Sequence, residues 1–118
     1  MKYMLLIYTD PTLPGPAPEE AEAHMGAWVT YTEALVSAGA MVAGDPLEDP
    51  HTATTVRVRD NKRLVTDGPF AETKEALVGY YMIEAATLDD ALGWAEKIPA
   101  APYGSVEVRP VMDMKMPG

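Results

Sequence analysis

The chain has no cysteine, one Phe, two histidines, and only nine basic residues against eighteen acidic ones. Each scarcity removes a class of protein. Without cysteine there is no disulfide, no thiolate metal site and no cysteine nucleophile, a composition that fits a reducing cytoplasm. His24 and His51 are far apart and give no zinc spacing, so neither a metal nor another cofactor is expected. A formal net charge of −9 counts against nucleic acid and anionic membrane as partners, because phosphate surfaces are held by Lys and Arg. No apolar run approaches the ~20 residues of a membrane span. Residues 1–8 carry one Lys before a short apolar stretch, and Asp10-Pro11 follows rather than a small-residue cleavage site. That segment is not expected to be a signal peptide. There is no Gly-rich phosphate loop, no G-x-S-x-G elbow and no dinucleotide fingerprint.

What remains is ample for one core. Hydrophobic residues make up 47% of 118 positions, so residues 1–118 are expected to form a single domain. Residues 2–8 are β-branched and aromatic and read as a strand; residues 10–18, with four prolines, read as a rigid loop. A helix is expected to open near Pro18, with Glu19, Glu20 and Glu22 at the positive end of its dipole. Ala21, Met25, Trp28, Thr32 and Leu35 form its apolar stripe, and Gly39 ends it. A short strand at 40–43 follows, broken by Gly44-Asp45-Pro46. Residues 52–59 and 62–66 alternate as two strands joined by Asp60-Asn61, which tolerates positive φ. Residues 67–70 make a second turn and 76–85 a long strand. Thr87, with Asp90 three residues on, caps a helix carrying Leu88, Ala91, Leu92, Ala95 and Ile98 on one face, and Pro99 stops it. Residues 104–111 are the last strand, and 112–118 a tail.

The order is β-α-β, an inserted hairpin, then β-α-β. This predicts an α+β fold of ferredoxin-like plan, an antiparallel sheet with two helices on one face. Strands 2–8 and 76–85 are apolar on both faces, and two helices cover only one. A second copy of the sheet is the economical cover, so a homodimer enclosing a small pocket is expected.

The charged residues suggest where a ligand would sit. In the last strand Val106 and Val108 point one way and Ser105, Glu107 and Arg109 the other. Glu107 and Arg109 are therefore expected on the dimer side, as a seam salt bridge or as a ligand-binding Arg oriented by a carboxylate. Arg57, Arg59, Lys62, Arg63 and Lys74 form a basic island in an acidic chain. They either blunt exposed strand edges or form an anion-attracting rim. The segment from Val65 to Glu75 packs Asp67, Glu72, Lys74 and Glu75 between strands, where a tethered loop can hold acid/base groups. Tyr80 or Tyr81 would line the pocket. Met112, Met114 and Met116 alternate, but thioethers in a tail make a poor copper site.

Ala53-Thr54-Thr55-Val56-Arg57, Thr66-Asp67-Gly68-Pro69-Phe70-Ala71-Glu72-Thr73-Lys74-Glu75, Gly79-Tyr80-Tyr81 and Gly104-Ser105-Val106-Glu107-Val108-Arg109-Pro110 resemble the DGPF branch of the YCII-related family. The resemblance covers nearly the whole chain and implies a ferredoxin-like fold assembled as a dimeric α+β barrel. It also implies mostly uncharacterised relatives, often linked to extracytoplasmic-function sigma factors, within a superfamily that includes small isomerases and monooxygenases. Shorter relatives have a proposed His–Asp site, which does not carry over. The matching segment here is Pro99-Ala100-Ala101-Pro102-Tyr103, without the Asp, and His24 stands about one turn too early in its helix.

Two functions follow as expectations. One is an enzyme-like protein acting without metal on a small anionic or carbonyl metabolite, with Asp67, Glu72 and Lys74 as acid/base groups and Arg109, Glu107, Tyr81 and Arg57 binding the ligand. The other is a non-catalytic sensor working with a sigma factor.

Overall fold

A computed structural model of the chain describes residues 1–69 and 74–114. The strands are β1 (Lys2–Thr9), β2 (Met41–Pro46), β3 (Thr54–Arg59), β4 (Lys62–Asp67), β5 (Ala76–Glu84) and β6 (Gly104–Pro110). The helices are α1 (Ala21–Ser37) and α2 (Leu88–Glu96). Four strands form one antiparallel sheet in the order β2-β5-β1-β6, while β3 and β4 pair separately. This is the α+β, ferredoxin-like arrangement expected from the element order.

Both helices lie on one face. Tyr3, Leu5 and Ile7 of β1 and Ile83 of β5 pack with Tyr31 and Leu35 of α1 and with Ala91 and Ala95 of α2. Leu5, Leu35, Ile83 and Ile98 are fully buried, each worth roughly 1.5–3 kcal/mol relative to exposure. Local chemistry sets the ends of the elements as expected. Gly39 follows α1 at φ 70°, where a side chain would clash with the following carbonyl. The Thr87 hydroxyl accepts from the Asp90 amide at 3.2 Å and opens α2.

Some expectations are corrected. The buried stripe of α1 runs through Trp28, Tyr31, Thr32 and Leu35, while Ala21 and Met25 are exposed. The N-terminal half of α1 leaves Met25 at the lip of an open groove. Tyr31 joins the core, its ring against Tyr81 and Trp94, and its hydroxyl can be buried because it donates to the Trp94 carbonyl at 2.8 Å. In α2, Leu88 and Leu92 are exposed, and the small residues Ala91 and Ala95 face the sheet and allow close approach. Strand β2 continues through Gly44, Asp45 and Pro46, which pair with Tyr81, Tyr80 and Gly79 of β5. Pro46 is tolerated because β2 is an edge strand, and Gly44 because no Cβ stands against the Tyr81 ring.

Candidate functional site

A groove of about 580 Å³ opens between α1 and the β2–β5 side of the sheet. Its floor includes Ile7, Met41 and Val78; Trp28, Thr32 and Tyr81 form its wall, and Met25, Val29 and Glu33 its lip. Register fixes the wall. Leu5 pairs with Tyr81, so the Tyr81 ring shares the helix side of the sheet with this buried leucine. Tyr81 and Trp28 lie nearly parallel, with centroids 6.5 Å apart and planes within 15°. The Tyr81 hydroxyl lies 2.8 Å from the Thr32 hydroxyl. The far edge of Trp28 is also held: its indole N–H donates to His24 Nε2 at 3.1 Å. A Cβ on Gly44 would lie 2.6 Å from Cδ1 of Tyr81, so glycine there makes room for the ring. Beneath the wall, burial first and Tyr81 second push the Tyr31 phenol well above its ordinary range.

Among the described residues the groove is lined chiefly by apolar and aromatic groups, with a hydroxyl pair at one point of the wall, the carboxylates of Glu33 and Asp45, and no Lys or Arg. Such a surface suits a flat molecule without negative charge. The Thr32–Tyr81 pair can offer one O–H to a carbonyl or hydroxyl on that molecule.

The opposite face of the sheet carries polar groups around an apolar centre. Met4, Leu6, Tyr80 and Met82 are half-buried there. Tyr80 donates to Asp45 Oδ2 at 2.9 Å, and this bond, then the carboxylate charge, raises the Tyr80 pKa. Tyr8 donates to Glu107 Oε1 at 3.4 Å, and Ser105 donates to Glu75 Oε1 at 2.8 Å. Tyr8, Glu75, Ser105 and Glu107 border a shallow, open depression.

The described residues singled out from sequence fall in four places. Tyr81 is in the groove. Glu107 and Arg109 share the open face of β6, two residues apart, as strand parity requires. They form no ion pair with each other among the described residues; Glu107 accepts from Tyr8 instead. Arg57 and Asp67 are on the β3–β4 ribbon, opposite Leu64 and Thr54. Lys74 is exposed and close enough to Asp10 to help lower its pKa, after the larger effects of the Thr12 hydroxyl and amide. Glu72 lies outside the described residues. The tether carrying these charges does approach β6, but through Glu75. Trp28 and Thr32 were legible only as stripe residues, and Gly44 only as a strand breaker. Ser105 was legible only as a neighbour of Glu107. An aromatic with a hydroxyl one turn away on a helix, facing a Tyr-Tyr strand, is the signal that could have found the groove.

Among the described residues, no three His, Asp or Glu side chains gather as a metal-binding cluster, and no helix is long and apolar enough to cross a membrane. The fold and groove define a ferredoxin-like α+β protein with an aromatic-walled cavity. The YCII-related domain matches residues 1–115, and the chain belongs to that family. An uncharacterised protein of Rhizobium meliloti (strain 1021) is 38% identical over 114 residues, spanning 94% of this chain and 92% of the relative. A solved structure of 5-chloro-2-hydroxyhydroquinone dehydrochlorinase (TftG) from Burkholderia phenoliruptrix AC1100, in complex with 2,5-dihydroxybenzoquinone, is similar with a TM-score of 0.49 and 15% identity. The match covers 95% of this chain and 94% of that one. At that identity its chemistry does not transfer to this chain.

Proposed function

We propose that this YCII-related protein binds a small, planar, uncharged carbonyl- or hydroxyl-bearing molecule in the groove between α1 and the sheet, as an enzyme-like homodimer. The observation that carries the reading is the Trp28–Tyr81 wall with the Thr32–Tyr81 hydroxyl pair set into it. Aromatic walls supply sequence-independent stacking with a flat ligand, and one placed O–H supplies orientation. Of the anionic and carbonyl metabolites expected from sequence, the groove favours the carbonyl, because no base among the described residues lines it. An anion finds its base, Arg109, on the other face of the sheet. That face is the proposed dimer surface: among the described residues no helix lies above Met4, Leu6 and Met82, and a second sheet would bury them.

The test is intrinsic fluorescence of the purified protein titrated with matched pairs of flat carbonyl compounds, neutral and carboxylated. Trp28 is expected to quench with the neutral member in the wild type and not in Trp28→Leu. Incubation followed by mass spectrometry then reports turnover. Quenching by the carboxylated member alone, lost in Arg109→Met, would move the site to the open face and overturn this reading.

A further inference from the structure

The β3–β4 ribbon has two unlike faces. Pairing of Val56 with Val65 and of Val58 with Arg63 puts three valines and Arg63 on one side. Pairing of Arg57 with Leu64 and of Arg59 with Lys62 puts three bases around one leucine on the other. Every residue of β4 is exposed, and Val56, Val58 and Val65 are 55%, 62% and 52% exposed. A two-stranded ribbon without a packed face is marginal in water, and three adjacent β-branched side chains are a costly face to leave wet. The turn is well made, with Asp60 and Asn61 both at positive φ (52° and 62°), so the ribbon's shape is set locally while its apolar face has no cover among the described residues.

Charge indicates what covers it. The ribbon concentrates Arg57, Arg59, Lys62 and Arg63 in a chain whose net charge is −9, so the rest of any second copy is acidic. On α1, Met25 and Val29 are one turn apart and 64% and 52% exposed. Glu22 and Glu33 stand one turn before and after them on the same side of the helix. This stripe repeats the ribbon's pattern with the charge reversed, apolar centre and charged flank. Met25, Val29 and Glu33 are also the outer lip of the aromatic groove.

We propose that the valine face of the ribbon docks on the Met25–Val29 stripe of a second copy, with Arg63 meeting Glu22 or Glu33 there. Each ribbon then serves as the lid of the other protomer's groove. The inference rests on the dimer reading and adds to it. The sheet faces join the copies, and the exchanged ribbons complete the two ligand sites.

The absence of cysteine makes a direct test available. Chains carrying only Val58→Cys and chains carrying only Val29→Cys are mixed at micromolar concentration and treated with a short bis-maleimide, with light scattering on the same sample. Val56→Cys and Met25→Cys serve as a second pair should either variant fold poorly. The expected product is a cross-link between the two kinds of chain, with little link within either kind alone. Arg63→Glu should reduce it roughly tenfold, since like charges would then face each other, and Glu22→Lys with Glu33→Lys should restore it. A dimer mass without the mixed link overturns ribbon exchange and leaves the sheet-face dimer standing. A monomer mass overturns both. Salt-sensitive retention of random duplex DNA that Arg59→Glu abolishes would assign the ribbon to nucleic acid and also overturn the proposal.

Discussion

The Thr32 and Tyr81 hydroxyls lie 2.8 Å apart, tying the middle of α1 to the middle of β5. Only one of the two need donate, so the pair keeps an O–H or a lone pair available to a third group in the groove. Around it the Trp28 ring is fixed on both sides, by Tyr81 stacking and by the bond to His24. The wall is therefore ordered before a ligand arrives, which limits the entropy lost on binding.

Tyr81→Phe is expected to weaken a carbonyl ligand about tenfold while lowering folding stability by about 1 kcal/mol or less, since one partly buried hydrogen bond is removed. Fluorescence titration and urea denaturation measure the two effects separately. Equal affinity in wild type and variant would show that the hydroxyl pair only staples the helix to the strand.

Gly44→Ala is expected to act on the same ring from the other side. Its Cβ would press on Cδ1 of Tyr81, with the Tyr80 carbonyl oxygen also close at 3.1 Å, so the ring has to turn. A cost of roughly 1–3 kcal/mol is expected, as for other overpacked sites. Near-UV circular dichroism should change with it. An unchanged aromatic signal would mean that the strand, not the ring, gives way.

Alkaline pH is expected to weaken the fold through Tyr31. Its folded pKa is raised because burial opposes the phenolate, so this contribution is intact below the ordinary tyrosine value of 10.0. It is lost as pH climbs above that value, because the unfolded chain releases the proton more readily. Tyr31→Phe should flatten the alkaline limb of the stability curve. At neutral pH it should cost about 1 kcal/mol, from loss of the bond to the Trp94 carbonyl. An alkaline limb identical in wild type and variant would count against Tyr31 as its source.

Leu6→Glu is expected to abolish the proposed homodimer. Leu6 sits on the open sheet face opposite Tyr80 and Glu107, and a second sheet over it would bury an unpaired carboxylate. Light scattering should fall from twice 12.8 kDa to that of one chain. The helix-side core should keep the protomer folded, as far-UV circular dichroism can report. A wild-type mass of one chain would remove the reason for the experiment and the dimer with it.

Sequence by itself determined the features whose physics is local. Asp60-Asn61 could turn a ribbon because both tolerate positive φ, and Gly39 could end α1 for the same reason. Thr87 could cap α2 because its hydroxyl needs to reach only three residues along the chain. Strand parity fixed Glu107 and Arg109 on one side and the valines on the other, because successive side chains alternate without exception in an unbulged strand. Tertiary structure decided what depended on distant partners. Gly44-Asp45-Pro46 reads as a break until β5 offers a strand to pair with, and then it extends β2. Parity separates Tyr80 from Tyr81 but cannot say which faces the helices. Pairing of Leu5 with Tyr81 decides that, and with it the location of the groove. The stripe of α1 was legible only in its second half, because helical period gives the spacing of a buried face while the neighbouring strands set its rotation. Met25 thereby became a groove lip and Tyr31 a core residue, its ring packed against Tyr81 and Trp94 and its hydroxyl satisfied by the Trp94 carbonyl.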